Sequence, residues 1–167
     1  MAILKILQYP DDRLHTVAKP VREITAATRK LIHNLAETMY AAPGIGLAAT
    51  QVDVHEQVIV MDISETHDRL LAFVNPEIIA SDGESICEEG CLSVPGVYEK
   101  VRRAEHVTVR ALNAQGESFT LECDGLLAVC VQHEMDHLKG KVFVEYLSLL
   151  KQSRLKAKIK KHRHETM

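Results

Sequence analysis

The run Gln132-His133-Glu134-Met135-Asp136-His137 contains the pattern H-E-x-x-H. On an α-helix residues i and i+4 share a face, so the imidazoles of His133 and His137 can reach one metal ion. Glu134 follows the first imidazole, where its carboxylate can meet a water activated by that ion. The bland alternative is a pair of ordinary half-buried histidines. It fares poorly, because the preceding Leu126-Leu-Ala-Val-Cys-Val131 is apolar nearly all round. Two unpaired imidazoles and a carboxylate are costly to desolvate on such a helix.

A catalytic ion with two histidines needs a third protein ligand, and its identity separates the enzyme classes. The metzincin pattern H-E-x-x-H-x-x-G-x-x-H continues here through Gly140 but ends on Phe143, which removes that class. A thermolysin-like Glu from a later helix would have to be Glu145, too close behind, or Glu165, in a basic tail. Upstream, Glu89-Gly90-Cys91-Leu92-Ser93 offers the Cys91 thiolate. Cys87, four residues earlier, stays open as a second thiol ligand, and a closed structural zinc site would need one. Cys123 and Cys130 read as small buried apolar residues. His15, His33, His55, His67 and His106 have no partner at ligand spacing and read as surface or partly buried histidines.

The elements that must hold these groups can be traced. Leu31, Ile32, Leu35 and Met39 mark one face of a helix from Thr25 to Ala42, stopped by Pro43-Gly44. The Gly-rich segment Gly44-Ile-Gly-Leu-Ala-Ala-Thr-Gln51 follows; in isolation its Gly-x-Gly reads as a turn, and no phosphate-binding lysine accompanies it. Strands are predicted at 57–62 and 70–74. A hairpin is predicted from 107–112 and 118–123 around Asn113-Ala-Gln-Gly116. Asp124 is placed to cap the H-E-x-x-H helix, which runs to Leu138 with Gly140 as its stop. Ser148 is placed to cap a last helix. Strands followed by a buried helix point to an α+β fold, antiparallel sheets wrapped around the central H-E-x-x-H helix, plus a C-terminal helix.

A chain of 167 residues, 46% apolar and 26% charged, fits one domain with its own core, expected over 1–167. The net charge is −3, but Lys151, Arg154, Lys156, Lys158, Lys160, Lys161 and Arg163 crowd the last stretch against Glu165 alone. A basic extension over 148–167 on an acidic body suggests a polyanionic partner, with a solvated amphipathic helix as the plain alternative. The sequence offers no signal-peptide run and no bilayer-length apolar segment, so no membrane role and a cytoplasmic location are expected. Four cysteines without a secretion signal suit thiols or ligands better than disulfides.

Taken together, Gly44-Ile-Gly-Leu-Ala-Ala-Thr-Gln51, Glu89-Gly-Cys-Leu-Ser93 and Gln132-His-Glu-Met-Asp-His137 resemble the three signature motifs of the peptide deformylases, in order and at that family's separations. The opening Ile6-Leu-Gln-Tyr-Pro-Asp-Asp-Arg-Leu14 and the helical extension resemble its bacterial type, so the likeness covers essentially the whole chain. It implies Cys91, His133 and His137 as ligands of one divalent ion, Fe2+ in cells, with Zn2+, Ni2+ or Co2+ acceptable in purified protein. It implies Glu134 as general acid/base, with the Gln51 amide and the Leu92 N–H as donors to a formyl oxygen. The implied reaction removes the formyl group from N-formylmethionyl nascent peptides and releases formate.

The same resemblance implies that Ile45, Gly46 and Gly90 pair with the substrate main chain. It implies that Ile45, Cys87, Glu88, Leu126, Val129, Cys130 and His133 line a slot for the methionine side chain. Cys87 stands where bacterial members often carry an aliphatic residue, and Tyr98 replaces a frequent arginine; both touch specificity. The implied partner of the basic helix is the ribosome, whose RNA phosphates would meet Lys and Arg, and a monomer is expected. Asp136 is read either as a partner behind the ligands or as an exposed residue on the outer helix face. The competing readings are a zinc peptidase of the H-E-x-x-H type and a non-catalytic metal- or RNA-binding protein.

Overall fold

The computed structural model describes residues 2 to 166, with the backbone course alone over 162–166; the side chains of Arg163 and Glu165 lie outside the described residues. Helix α1 spans Ala26–Ala41, with Ile32, Leu35 and Met39 buried, as the apolar spacing predicts. Its start is closed where the Thr28 hydroxyl accepts a hydrogen bond from the Thr25 N–H at 3.1 Å. At its other end Gly44 N–H donates to the Met39 carbonyl. The chain then enters β1, Gly46–Ala48, and later β2, Val58–Met61.

Strand β3 runs over Leu71–Asp82, longer than the predicted 70–74. Pro76, which ends a strand by sequence rules, is accommodated because the ladder with β6 shifts register between Val74 and Glu77; proline is tolerated at such bulges. Strands β4, Ser85–Cys91, and β5, Val94–Arg103, form a two-stranded sheet of their own. The predicted hairpin is present as β6, His106–Leu112, and β7, Ser118–Asp124, paired from His106↔Asp124 to Leu112↔Ser118. The five-stranded sheet has the order β1-β2-β3-β6-β7, every neighbouring pair antiparallel.

Helix α2, Gly125–Leu138, lies against that sheet. Ala128, Val131, Met135 and Leu138 share a core with Phe73, Val107, Val109 and Ala111. Asp124 occupies the N-cap position, but its side chain makes no capping bond; the turn into the helix is made by Gly125 at φ +54°, a region natural to glycine. Gly140, at φ +78°, closes the helix where a Cβ would meet the His15 carbonyl oxygen at 2.5 Å.

A final helix, α3, spans Leu149–Thr166, and the Ser148 hydroxyl accepts from the Lys151 N–H at 3.2 Å. Leu155 and Ile159 pack against the cluster of Tyr9, Val142 and Phe143. The fold class is therefore α+β, with antiparallel sheets around the buried helix and a helix at the C-terminal end. Among the described residues no helix is long and apolar enough to cross a membrane.

Candidate metal centre

Successive turns of α2 place His133 and His137 on one side, and the end of β4 delivers Cys91 to them. His137 Nε2 lies 3.3 Å from His133 Nε2 and 3.4 Å from Cys91 Sγ. One ligand atom from each residue falls within 4.8 Å of the others. A tetrahedral ion with bonds of roughly 2.0 Å to nitrogen and 2.3 Å to sulfur separates its ligand atoms by roughly 3.3–3.6 Å. The two spacings fit such an ion. Cys87 is not part of the group, so no fourth protein ligand closes it among the described residues.

Behind His133 stands a chain of buried ions. Glu89 Oε1 accepts from His133 Nδ1 at 2.8 Å, which fixes the tautomer and turns the Nε2 lone pair toward the centre. Arg103 grips both oxygens of Glu89, at 2.8 and 2.9 Å, and donates to Asp136 Oδ2 at 2.5 Å. Tyr146 donates its hydroxyl to the same Asp136 oxygen at 2.6 Å and lays its ring 5.0 Å from the guanidinium. Burial alone would raise the Glu89 carboxyl, but Arg103 and His133 outweigh it and hold it below its ordinary range. Asp136 is thus buried against Arg103, not exposed on an outer face.

Glu134 is 4% exposed, and among the described residues its Oε1 has no hydrogen-bond partner. Burial, reinforced by the charges of Glu89 and Asp136, raises its carboxyl to about 7 against the pull of His133 and Arg103. A carboxyl poised there can both take and return a proton at neutral pH. Gly46 is glycine for a plain reason: a Cβ would collide with Glu134 Oε2 and come within 2.9 Å of Cys130 Sγ. Gln51, 1% exposed, has its amide orientation set by Ala48 N–H donating to Oε1 at 2.9 Å. Its Nε2 therefore points to Ser93 Oγ, 3.0 Å away, and to Cys91 Sγ, 3.5 Å away.

These groups line a cavity of about 800 Å3. One wall carries Gly44, Ile45 and Gly46; the other carries Gly90, Cys91 and Leu92. Among the described residues β1 pairs only with β2, and β4 only with β5, so each wall is a sheet edge that can accept an added strand.

A family model described as polypeptide deformylase matches residues 3–153. The chain belongs to the polypeptide deformylase family. It is 68% identical over 162 residues to peptide deformylase 1 of Burkholderia multivorans, covering 96% of this chain and 90% of that one. It is 63% identical over 167 residues to the peptide deformylase of Neisseria meningitidis, covering all of both. Among solved structures, a peptide deformylase of Legionella pneumophila superposes with a TM-score of 0.92 at 47% identity, over 98% of this chain and 97% of that one. That of Ehrlichia chaffeensis in complex with actinonin gives 0.93 at 37% identity, over 97% and 98%. The deformylases are metal-dependent hydrolases, and this enzyme removes the N-terminal formyl group from nascent peptides.

Of the residues singled out in the sequence, Ile45, Gly46, Gln51, Gly90, Cys91, Leu92, His133 and Glu134 line the cavity, and His137, fully buried outside the lining, stands against His133 and Cys91. Cys87, Glu88, Leu126, Val129 and Cys130, expected around a methionine slot, are not among its lining residues. Cys130 sits directly behind Gly46, its thiol 3.8 Å from the Ile45 carbonyl. Sequence reasoning passed over Glu89, Arg103 and Tyr146. For Glu89 a signal existed: on a strand it lies two residues from Cys91 and so on the same face.

Proposed function

We propose that Cys91, His133 and His137 hold one divalent ion, Fe2+ in cells and replaceable by Zn2+, Ni2+ or Co2+ in purified protein, for the deformylation of formylmethionyl peptides. The observation carrying this reading is the convergence of one cysteine sulfur and two imidazoles beside a cavity walled by the edge strands β1 and β4. A bound ion of this kind supplies an acidified water and a Lewis acid for the formyl oxygen.

The peptide lies extended between the segment Gly44-Ile45-Gly46 and Gly90, as an added strand does. The methionine side chain is directed past Ile45, out of the cavity, into a slot formed with Cys87, Glu88, Leu126, Val129 and Cys130. Glu134, whose Oε1 is left without a protein partner among the described residues, takes a proton from the attacking water and passes one to the departing amine. Charge gathering on the formyl oxygen is met by Gln51 Nε2 and the Leu92 N–H. Formate and a free methionyl amine leave.

A peptidase that cuts internal bonds shares His133, Glu134 and His137 but has no use for Cys91 or for an amide aimed like that of Gln51. Incubation of formyl-Met-Ala-Ser beside Met-Ala-Ala-Ser separates the two. Formate release without internal cleavage is expected, and internal cleavage without formate would overturn the proposal.

We also read residues 1–167 as one domain with 148–167 as a basic extension, supported by the packing of Leu155 and Ile159 on the body. The exposed Lys and Arg of α3 suit docking to ribosomal RNA. The protein is taken to act as a monomer in the cytoplasm.

A further inference from the structure

We infer that Tyr98 reads the side chain that follows the formylmethionine, and that it favours large apolar or aromatic residues there. This inference rests on the extended-strand reading of the cavity given above. Tyr98 belongs to β5 and is 65% exposed, yet it lines the cavity, which lies beyond β4. Gly90 explains how. The pairing Glu89↔Glu99 sets Gly90 beside Tyr98 on the outward face of the two-stranded sheet. The ring leans over Gly90 so closely that a Cβ there would come within 2.6 Å of Cε1 and 2.9 Å of Cδ1. A missing side chain on β4 thus lets an aromatic face from β5 reach across to the edge where the peptide would lie.

Side chains of an extended peptide alternate between faces. When the methionine side chain turns inward below β4, the next one turns outward, onto the side where the ring waits. Nearby charges come in opposite signs: Glu88 and Lys100 face each other across the strands, and Glu99 is engaged by Lys151 at 3.7 Å. What remains to distinguish substrates is the ring itself. An aromatic face against an apolar or aromatic side chain is worth a factor of about three to ten. An arginine in place of the ring would instead reward an acidic side chain.

The test compares kcat/KM for formyl-Met-Phe-Ser, formyl-Met-Ala-Ser and formyl-Met-Asp-Ser with the metal-loaded wild-type enzyme, Tyr98→Ala, Tyr98→Phe and Tyr98→Arg. The wild type is expected to prefer Phe over Ala. Tyr98→Ala should reduce that preference about three- to ten-fold, through KM, while Tyr98→Phe keeps it and Tyr98→Arg moves it toward Asp. A ring that merely props up Gly90 would slow all three peptides together and leave their ratios intact, and that result would overturn the inference. Absence of formate from every formyl peptide with the wild type would instead sink the proposed site chemistry on which the inference stands.

Discussion

His133 Nδ1 and Glu89 Oε1, 44 residues apart in sequence, meet at 2.8 Å. Through this bond a ligand on the helix is aimed by a carboxylate on β4, and that carboxylate is in turn held by Arg103. Removing it should loosen the ion and leave Arg103 buried with Asp136 and Tyr146 alone. Glu89→Ala is expected to weaken metal binding about 10- to 100-fold and to cost about 3–5 kcal/mol of stability. Glu89→Gln, which keeps an acceptor for His133, should fall between it and the wild type. Competition with a chelator gives the first number and denaturant unfolding the second.

Glu134 makes a prediction about the metal-free protein. Its carboxyl is raised from the ordinary 4.5 to about 7, with burial as the main cause. Between those two values the folded chain keeps a proton that the unfolded chain has released. Stability therefore falls as the pH rises through that window, and the full loss, about 3 kcal/mol, is reached above 7. Glu134→Gln cannot ionise, so its metal-free form should match the wild type below pH 4.5 and exceed it by that amount at pH 8. Parallel unfolding curves at the two pH values check this. In the metal-loaded state the same variant should lose about 100- to 10,000-fold in kcat while retaining its ion.

Gln51 carries a prediction about rate. Because Ala48 N–H holds Oε1, the amide can present only Nε2 to the cavity. Gln51→Ala is expected to lower kcat by about 100- to 1000-fold with metal content preserved, measured as formate release alongside metal analysis.

The basic helix should be tested by charge, not by truncation, since Leu155 and Ile159 are part of a core cluster. Arg154, Lys158 and Lys161 are exposed. Replacing all three with Glu should leave the deformylation of free peptides near the wild-type rate. It should weaken ribosome binding and flatten its dependence on salt by about one unit of slope for each RNA phosphate that the helix no longer neutralises. Equal binding by the triple variant would remove the ribosome from the account.

Much of this was legible in the sequence because it is local. The spacing of His133 and His137, the face of α1, and the hairpin around Asn113 to Gly116 follow from periodicity and turn chemistry over a few residues. The β4–β5 hairpin was not, because Cys87-Glu-Glu-Gly-Cys91 and Val94-Pro-Gly-Val97 lack the alternation that marks a half-buried strand. Without that hairpin, Arg103 reads as one more surface cation, and nothing sets Glu89 apart from Glu88. Their burial is a tertiary fact: each is tolerated inside only because the other, with His133 and Asp136, neutralises it. Asp136 could be read two ways from the helix alone, and its partners come from β5 and from Tyr146.

Coordination of one ion by Cys91, His133 and His137 is tested most directly by X-ray absorption fine structure on the iron- or nickel-loaded enzyme. One sulfur near about 2.3 Å, two imidazole nitrogens at roughly 2.0–2.1 Å and a light oxygen scatterer are expected, with the sulfur shell absent from Cys91→Ser. A first shell without sulfur in the wild type, or one with two sulfurs and no oxygen, would contradict it.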